Sequence, residues 1–153
     1  MADFGGPEEY TTWDGEQVSR DRPHGVTVVV AARGPQGWRY VLLHRGHHGP
    51  DWDDDWAWTP PTGGRKPGED VAACAARELR EETGIRAGPR AVRATDTDWA
   101  VFGLEVPWGT VVAVDGTEHD RFDWVTYAEA CRRCRPAELA ATFVTACQAL
   151  GWQ

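Results

Sequence analysis

The stretch Gly63 to Ile85, GGRKPGEDVAACAARELREETGI, constrains this chain more than any other. Its opening loop holds Gly63, Gly64, Pro67 and Gly68, residues that punctuate structure and do not continue a helix. Asp70 is a good N-cap and Gly84 a good C-terminal stop, which predicts a helix between them. Ala72, Ala75, Ala76 and Leu79 fall on one narrow face, small enough to let the helix sit close against a sheet. Glu78, Glu81 and Glu82 are three and four residues apart and project to another side, and Arg77 is four residues before Glu81, within pairing reach. Carboxylates this close repel one another unless something neutralises them, and a hard cation does so. Oxygen ligands of this kind suit Mg²⁺ or Mn²⁺, with water and substrate phosphates completing the shell. Taken alone, RELREE also reads as a solvated charged helix face.

The remaining segments predict the layers around that helix. His24 to Ala32 is a continuous β-branched run, typical of a strand buried on both faces, and Trp38 to Arg45 makes a hairpin with it. Gly46 to Asp55 is a polar loop; its aspartates lack the terminal Glu of a calcium loop, so it reads as solvated. Trp56 to Pro60 is a short extended segment. Arg90 to Thr97, Trp99 to Val106 and Thr110 to Val114 read as strands, and Thr117 to Val125 as a loop feeding a short one. Tyr127 to Arg133 forms a helical turn or two, and Pro136 to Leu150 a last helix whose Leu139, Phe143, Ala146, Cys147 and Leu150 make an apolar stripe. The expected class is α/β: a mixed sheet sandwiched between helices, an α/β/α architecture. Residues 1–22 are expected to form an irregular arm, pinned by aromatics to the body or to a second subunit of a homodimer, and residues 23–153 the domain.

A net charge of −8 argues against a duplex nucleic-acid partner, whose backbone is held by basic patches. No apolar run reaches membrane-spanning length, and no basic segment followed by an apolar core opens the chain, so a cytoplasmic location is expected. Cys131 and Cys134 form a C-x-x-C without a second pair, which supports reduced thiols over a zinc site; the flanking arginines would lower the thiol pKa.

The whole string from Gly63 carries a resemblance. Its order is a Gly, five residues, a Glu, seven residues, then Arg-Glu-aliphatic-x-Glu-Glu-x-Gly-aliphatic, met here by Gly63, Glu69, Arg77, Glu78, Leu79, Glu81, Glu82, Gly84 and Ile85. By this signature the chain resembles the Nudix hydrolases from about Pro23 to Leu150. The resemblance implies the same α/β/α fold and a metal-dependent hydrolysis of a phosphoanhydride. It implies Glu78 and Glu82 as principal metal ligands, Glu81 acting through metal or water, the Gly63 carbonyl as a further ligand, and Arg77 as the residue that orients the glutamates. Glu69 braces the loop against the helix. The base is left open between Glu81 and an acid outside the signature.

Thr117-Glu118-His119, followed by Phe122 and Trp124, resembles the distal segment of dihydroneopterin triphosphate (and dATP) pyrophosphohydrolases and of dinucleoside tetraphosphate hydrolases. In the former group the Glu is a metal ligand, which makes Glu118 a candidate. Ala100 stands where an ADP-ribose type carries Pro, and Val101 to Gly103 lack the Tyr of the dinucleoside type. These absences lean toward a nucleoside or pterin triphosphate. The alternatives are a dinucleoside polyphosphate or other nucleoside-diphosphate derivative, and a silent nucleotide sensor, although such sensors usually lose signature acids. Arg45, Arg65 and Lys66 are candidate phosphate contacts. Of the nine tryptophans, Trp52, Trp56 and Trp58 precede the signature loop, and Trp99 and Trp108 are expected near the cleft. Trp58 is the candidate for the substrate ring.

Overall fold

The computed structural model describes residues 17–92 and 98–153, and the backbone of 9–11. The elements run β1 (Glu9–Thr11), β2 (Gln17–Ser19), β3 (Gly25–Gly34), β4 (Gly37–Arg45), β5 (Trp58–Thr59), β6 (Thr62–Gly64), α1 (Val71–Thr83), β7 (Arg90–Ala91), β8 (Trp99–Val106), β9 (His119–Val125), α2 (Tyr127–Arg133) and α3 (Ala137–Leu150). β3 is the axis of a mixed sheet. It pairs parallel with β8 and antiparallel with β4 and β6, while β5 and β9 join β4 and β7 joins β8.

The β-branched run of β3 is buried on both faces because each face has its own helix layer. Val26, Val28 and Val30 meet Cys74, Ala75 and Leu79 of α1. Val29 and Ala31, one residue out of phase, meet Leu139, Phe143, Ala146 and Cys147 of α3. Tyr40 completes that second layer, edge-on to Phe143 at 5.0 Å, with its hydroxyl donating to the carbonyl of Trp152. The α/β/α architecture read from the sequence is the one observed.

α1 begins and ends where its caps require. The Asp70 side chain accepts from the Ala73 N–H, and Gly84 sits in the left-handed region at φ 77, a conformation that favours glycine. Its buried stripe differs from the expected alanine face. Cys74, Ala75, Glu78, Leu79, Glu82 and Thr83 are buried, and Ala72 is exposed. The stripe is rotated because it must carry two of the glutamates inward. α2 spans the predicted residues, closed by a capping box between Thr126 and Glu129.

Three expectations change. Thr110 to Val114 is not a strand: it runs as an extended connection tied by Ala113 N–H to Thr83 O at 2.9 Å, with Val112 buried against the α1 layer. Residues 1–22 are not wholly irregular. Glu9–Thr11 pairs antiparallel with Gln17–Ser19, Val18 and Ser19 are buried, and Ser19 N–H donates to Arg65 O. Phe4 and Trp13, expected to pin the arm, lie outside the described residues, as does most of the strand expected over Arg90 to Thr97. Finally, the arginines beside Cys134 do not activate it; burial pushes its thiol up to about 12, and all four cysteines are free.

Candidate active site

The acid site forms where the buried stripe of α1 meets the β6 loop and the start of β9. Arg77 is its clamp. Its guanidinium donates to both carboxylate oxygens of Glu69 at 2.7 and 2.9 Å, to Glu78 Oε1 at 2.9 Å, to Glu81 Oε2 at 3.1 Å and to the Gly64 carbonyl at 3.0 Å. Glu69 in turn accepts from the Lys66 N–H. One planar fork thus fixes three signature glutamates, Glu69, Glu78 and Glu81, and ties the loop to the helix, a geometry that a point-charge ammonium does not reproduce. The pairing expected between Arg77 and Glu81 is present, but the firmer anchor is Glu69.

Gly63 is glycine for a steric reason. A Cβ there would lie 2.1–2.4 Å from the Glu78 carboxylate atoms. The missing side chain is the space that Glu78 occupies.

Glu82 is the acid pushed furthest toward its neutral form by burial. It is 5% exposed; Oε1 accepts the Thr62 N–H at 2.8 Å, and Oε2 is buried without a hydrogen-bond partner. Burial, then the charges of Glu78 and Glu118, raise its carboxyl well above the usual range. Glu82, Glu118 and His119 each offer a ligand atom, all within 4.8 Å of one another. Glu81 and Asp115 join these three around a depression of about 230 Å³. His119 is 3% exposed with Nε2 unpartnered. Burial, then the charge of Arg45, lowers it to about 4, so the imidazole is neutral at neutral pH and able to ligate.

This donor set fits a divalent cation. A buried carboxylate oxygen lacks a partner, like charges face one another, and the imidazole beside them is neutral. His119 and Asp115 had no role in the sequence reading. His119 was visible beside Glu118, but nothing in the order of residues says which side chain at a strand start turns inward.

The expected substrate contacts divide. Arg65 is a correction: it is 8% exposed and its guanidinium donates to the carbonyls of Pro23, Glu69 and Asp21, so it braces the loop rather than facing phosphate. Lys66 is exposed. Trp58 is 8% exposed, its ring within 5.3 and 5.0 Å of the Arg121 and Arg133 guanidinium carbons, and it lines a cleft whose lining holds none of the signature acids. Trp108 lies against Gly34 at the turn of the β3–β4 hairpin, not near the acids. Arg45 is half-buried beside the acids, with Nε unpartnered. It shares a second cleft with Trp56 and Trp99.

A sheet between helices with this acid-lined α1 defines the class. The NUDIX domain family model matches residues 22–144. An Ap4A hydrolase from C. elegans superposes with a TM-score of 0.64 at 21% identity, over 83% of this chain and 96% of that one. The dihydroneopterin triphosphate pyrophosphohydrolase of E. coli does so with a TM-score of 0.64 at 21% identity, over 83% and 94%. An octanoyltransferase from Myxococcus xanthus is 31% identical over 142 residues, 80% of this chain and 36% of that protein. The chain therefore spans about a third of the length of that curated relative. The chain belongs to the NUDIX domain family and carries the signature residues intact. No helix among the described residues is long and apolar enough to cross a membrane.

Proposed function

We propose that the chain hydrolyses a phosphoanhydride bond of a nucleoside- or pterin-triphosphate-like substrate, with Mg²⁺ or Mn²⁺ as cofactor. The observation that carries this reading is the buried, unpartnered Glu82 Oε2 beside Glu118 and His119. Glu78, Glu82 and Glu118 would hold the cation, with Glu81 and the Gly63 carbonyl as further ligands. When bound, the cation neutralises phosphate charge and acidifies water.

The protein's own residues do the rest. Arg77 fixes Glu78 and Glu81 in one geometry, so the carboxylates need not reorganise as charge develops. The Thr62 N–H orients Glu82 from the opposite side. His119 stays neutral and presents a buried imidazole nitrogen beside the acids, where it can ligate or hydrogen-bond. Arg45 supplies positive charge next to the acids, where an anionic substrate must approach. Residues 1–22 are proposed as an appendage to a domain spanning 23–153, and a homodimer is proposed as the partner state.

The test is product release from dNTPs, NTPs, dinucleoside polyphosphates, ADP-ribose and dihydroneopterin triphosphate with Mg²⁺, Mn²⁺ or EDTA. Metal-dependent turnover of triphosphates is expected. Turnover only of dinucleoside polyphosphates or ADP-ribose would move the substrate class, and no turnover would make the chain a binding module.

A further inference from the structure

The second cleft carries a more specific reading. It encloses about 500 Å³ and is lined by Arg45, Thr62, Trp56, Trp99, Leu139 and Glu138, among others. Large apolar side chains are seldom left in the open around a cavity, yet Trp56 is 45% and Trp99 40% exposed. Both are positioned. The Trp56 N–H donates to Arg135 O at 2.7 Å, and its backbone sits at φ 66, a left-handed conformation that a tryptophan rarely adopts. The Trp99 indole N–H donates to Thr62 Oγ1 at 3.2 Å. The same Thr62 gives its backbone N–H to Glu82, so the cleft opens one residue away from the acid site. Arg45 stands between the two, lining the cleft while its charge acts on Glu82 and His119.

The cleft lining carries one charge besides Arg45. Glu138, in the first turn of α3, has no hydrogen bond or ion pair from its carboxylate among the described residues; only its backbone carbonyl is used, by Thr142. Indoles at the walls suit a flat heteroaromatic ring. An ionised carboxylate in the lining is acceptor-only and is best matched by two adjacent N–H donors. A 2-amino-4-oxo ring, the edge shared by guanine and pterin, presents such a pair, a ring N–H and an exocyclic amine side by side. Adenine and cytosine set an acceptor nitrogen beside their amine, and uracil offers one N–H between two carbonyls.

We infer that this cleft is the ring subsite of the triphosphate hydrolase proposed above, and that Glu138 makes it selective for a 2-amino-4-oxo heteroaromatic ring, with Trp56 and Trp99 packing on the ring. This rests on the triphosphatase reading for its phosphate end. Glu138 is a specificity residue and takes no part in bond cleavage.

The test compares GTP with ITP, which differ only by the 2-amino group, in wild type and Glu138→Gln. Because Glu138 is exposed and water competes, the low end of bidentate base discrimination applies, about fivefold in kcat/KM in favour of GTP. In Glu138→Gln that ratio falls toward one. Equilibrium binding of the β,γ-imido analogues of GTP and ITP with Mg²⁺ repeats the comparison without turnover, so a chain that hydrolyses nothing still tests the cleft. A third arm, dihydroneopterin triphosphate against GTP, assigns the ring to pterin or nucleoside. Equal GTP and ITP values in wild type, or a preference that survives Glu138→Gln in both assays, overturns the inference while leaving the hydrolase reading intact.

Discussion

Glu82→Gln separates stability from function at one residue. In the metal-free protein Glu82 Oε1 is satisfied by Thr62, but Oε2 is buried without a partner and faces Glu78 and Glu118. Because burial and those charges raise the folded carboxyl above its ordinary value near 4.5, the folded state holds this proton more tightly than the unfolded chain does. The contribution to stability is therefore complete below that ordinary value and is lost as pH rises through the raised folded value. Glutamine keeps the acceptor for Thr62 and puts an amide donor where the orphaned oxygen was. Removing one buried unsatisfied acceptor is worth about 1–3 kcal/mol, or about 2–12 °C in Tm for a domain of this size. In EDTA at pH 7.5 the variant should melt higher than wild type by that amount, and the gap should close at pH 5. Mg²⁺ should raise the melting temperature of wild type alone, and hydrolysis should disappear in the variant. A variant that melts lower than wild type in EDTA at pH 7.5, or that responds to Mg²⁺ as wild type does, would refute the reasoning.

Other substitutions test the supports. Arg77→Lys keeps the charge but loses the fork to Glu69, Glu78 and Glu81; urea denaturation should register a loss of about 1.5–3 kcal/mol, with a fall in kcat. Gly63→Ala drives a methyl into the Glu78 carboxylate and should cost about 1–3 kcal/mol by the same method, together with most of the metal-dependent activity. Arg65→Ala strips donors from the carbonyls of Pro23, Glu69 and Asp21, so it should lower stability by about 1.5–3 kcal/mol while KM for the triphosphate stays unchanged. A raised KM at unchanged stability would return Arg65 to the substrate.

The parts of the molecule legible in its sequence are those fixed by local rules. Asp70 and Gly84 bound α1 because capping is decided within one turn, and the β3 run announces burial on both faces by composition alone. Glu78, Glu82 and Glu118 are legible as candidates because helical spacing and motif order carry them. Long-range geometry was not legible. Arg65 looked like a phosphate contact because it follows the glycines, and only the fold brings the carbonyls of Asp21 and Pro23 to its guanidinium. Thr110 to Val114 has strand composition, but Ala113 bonds to the end of α1 and the segment finds no ladder. The inward turn of His119 depends on an irregularity in the β4–β9 register beside Arg45, and no local pattern encodes it.

The central claim is that Glu82, Glu118 and their neighbours form a cation site held in place by Arg77. The most direct measurement is Mn²⁺ binding followed by electron paramagnetic resonance in wild type, Glu82→Gln and Glu118→Gln. The account predicts saturable binding to wild type, weakened by about tenfold or more in each variant. Equal Mn²⁺ affinity in all three proteins would contradict it.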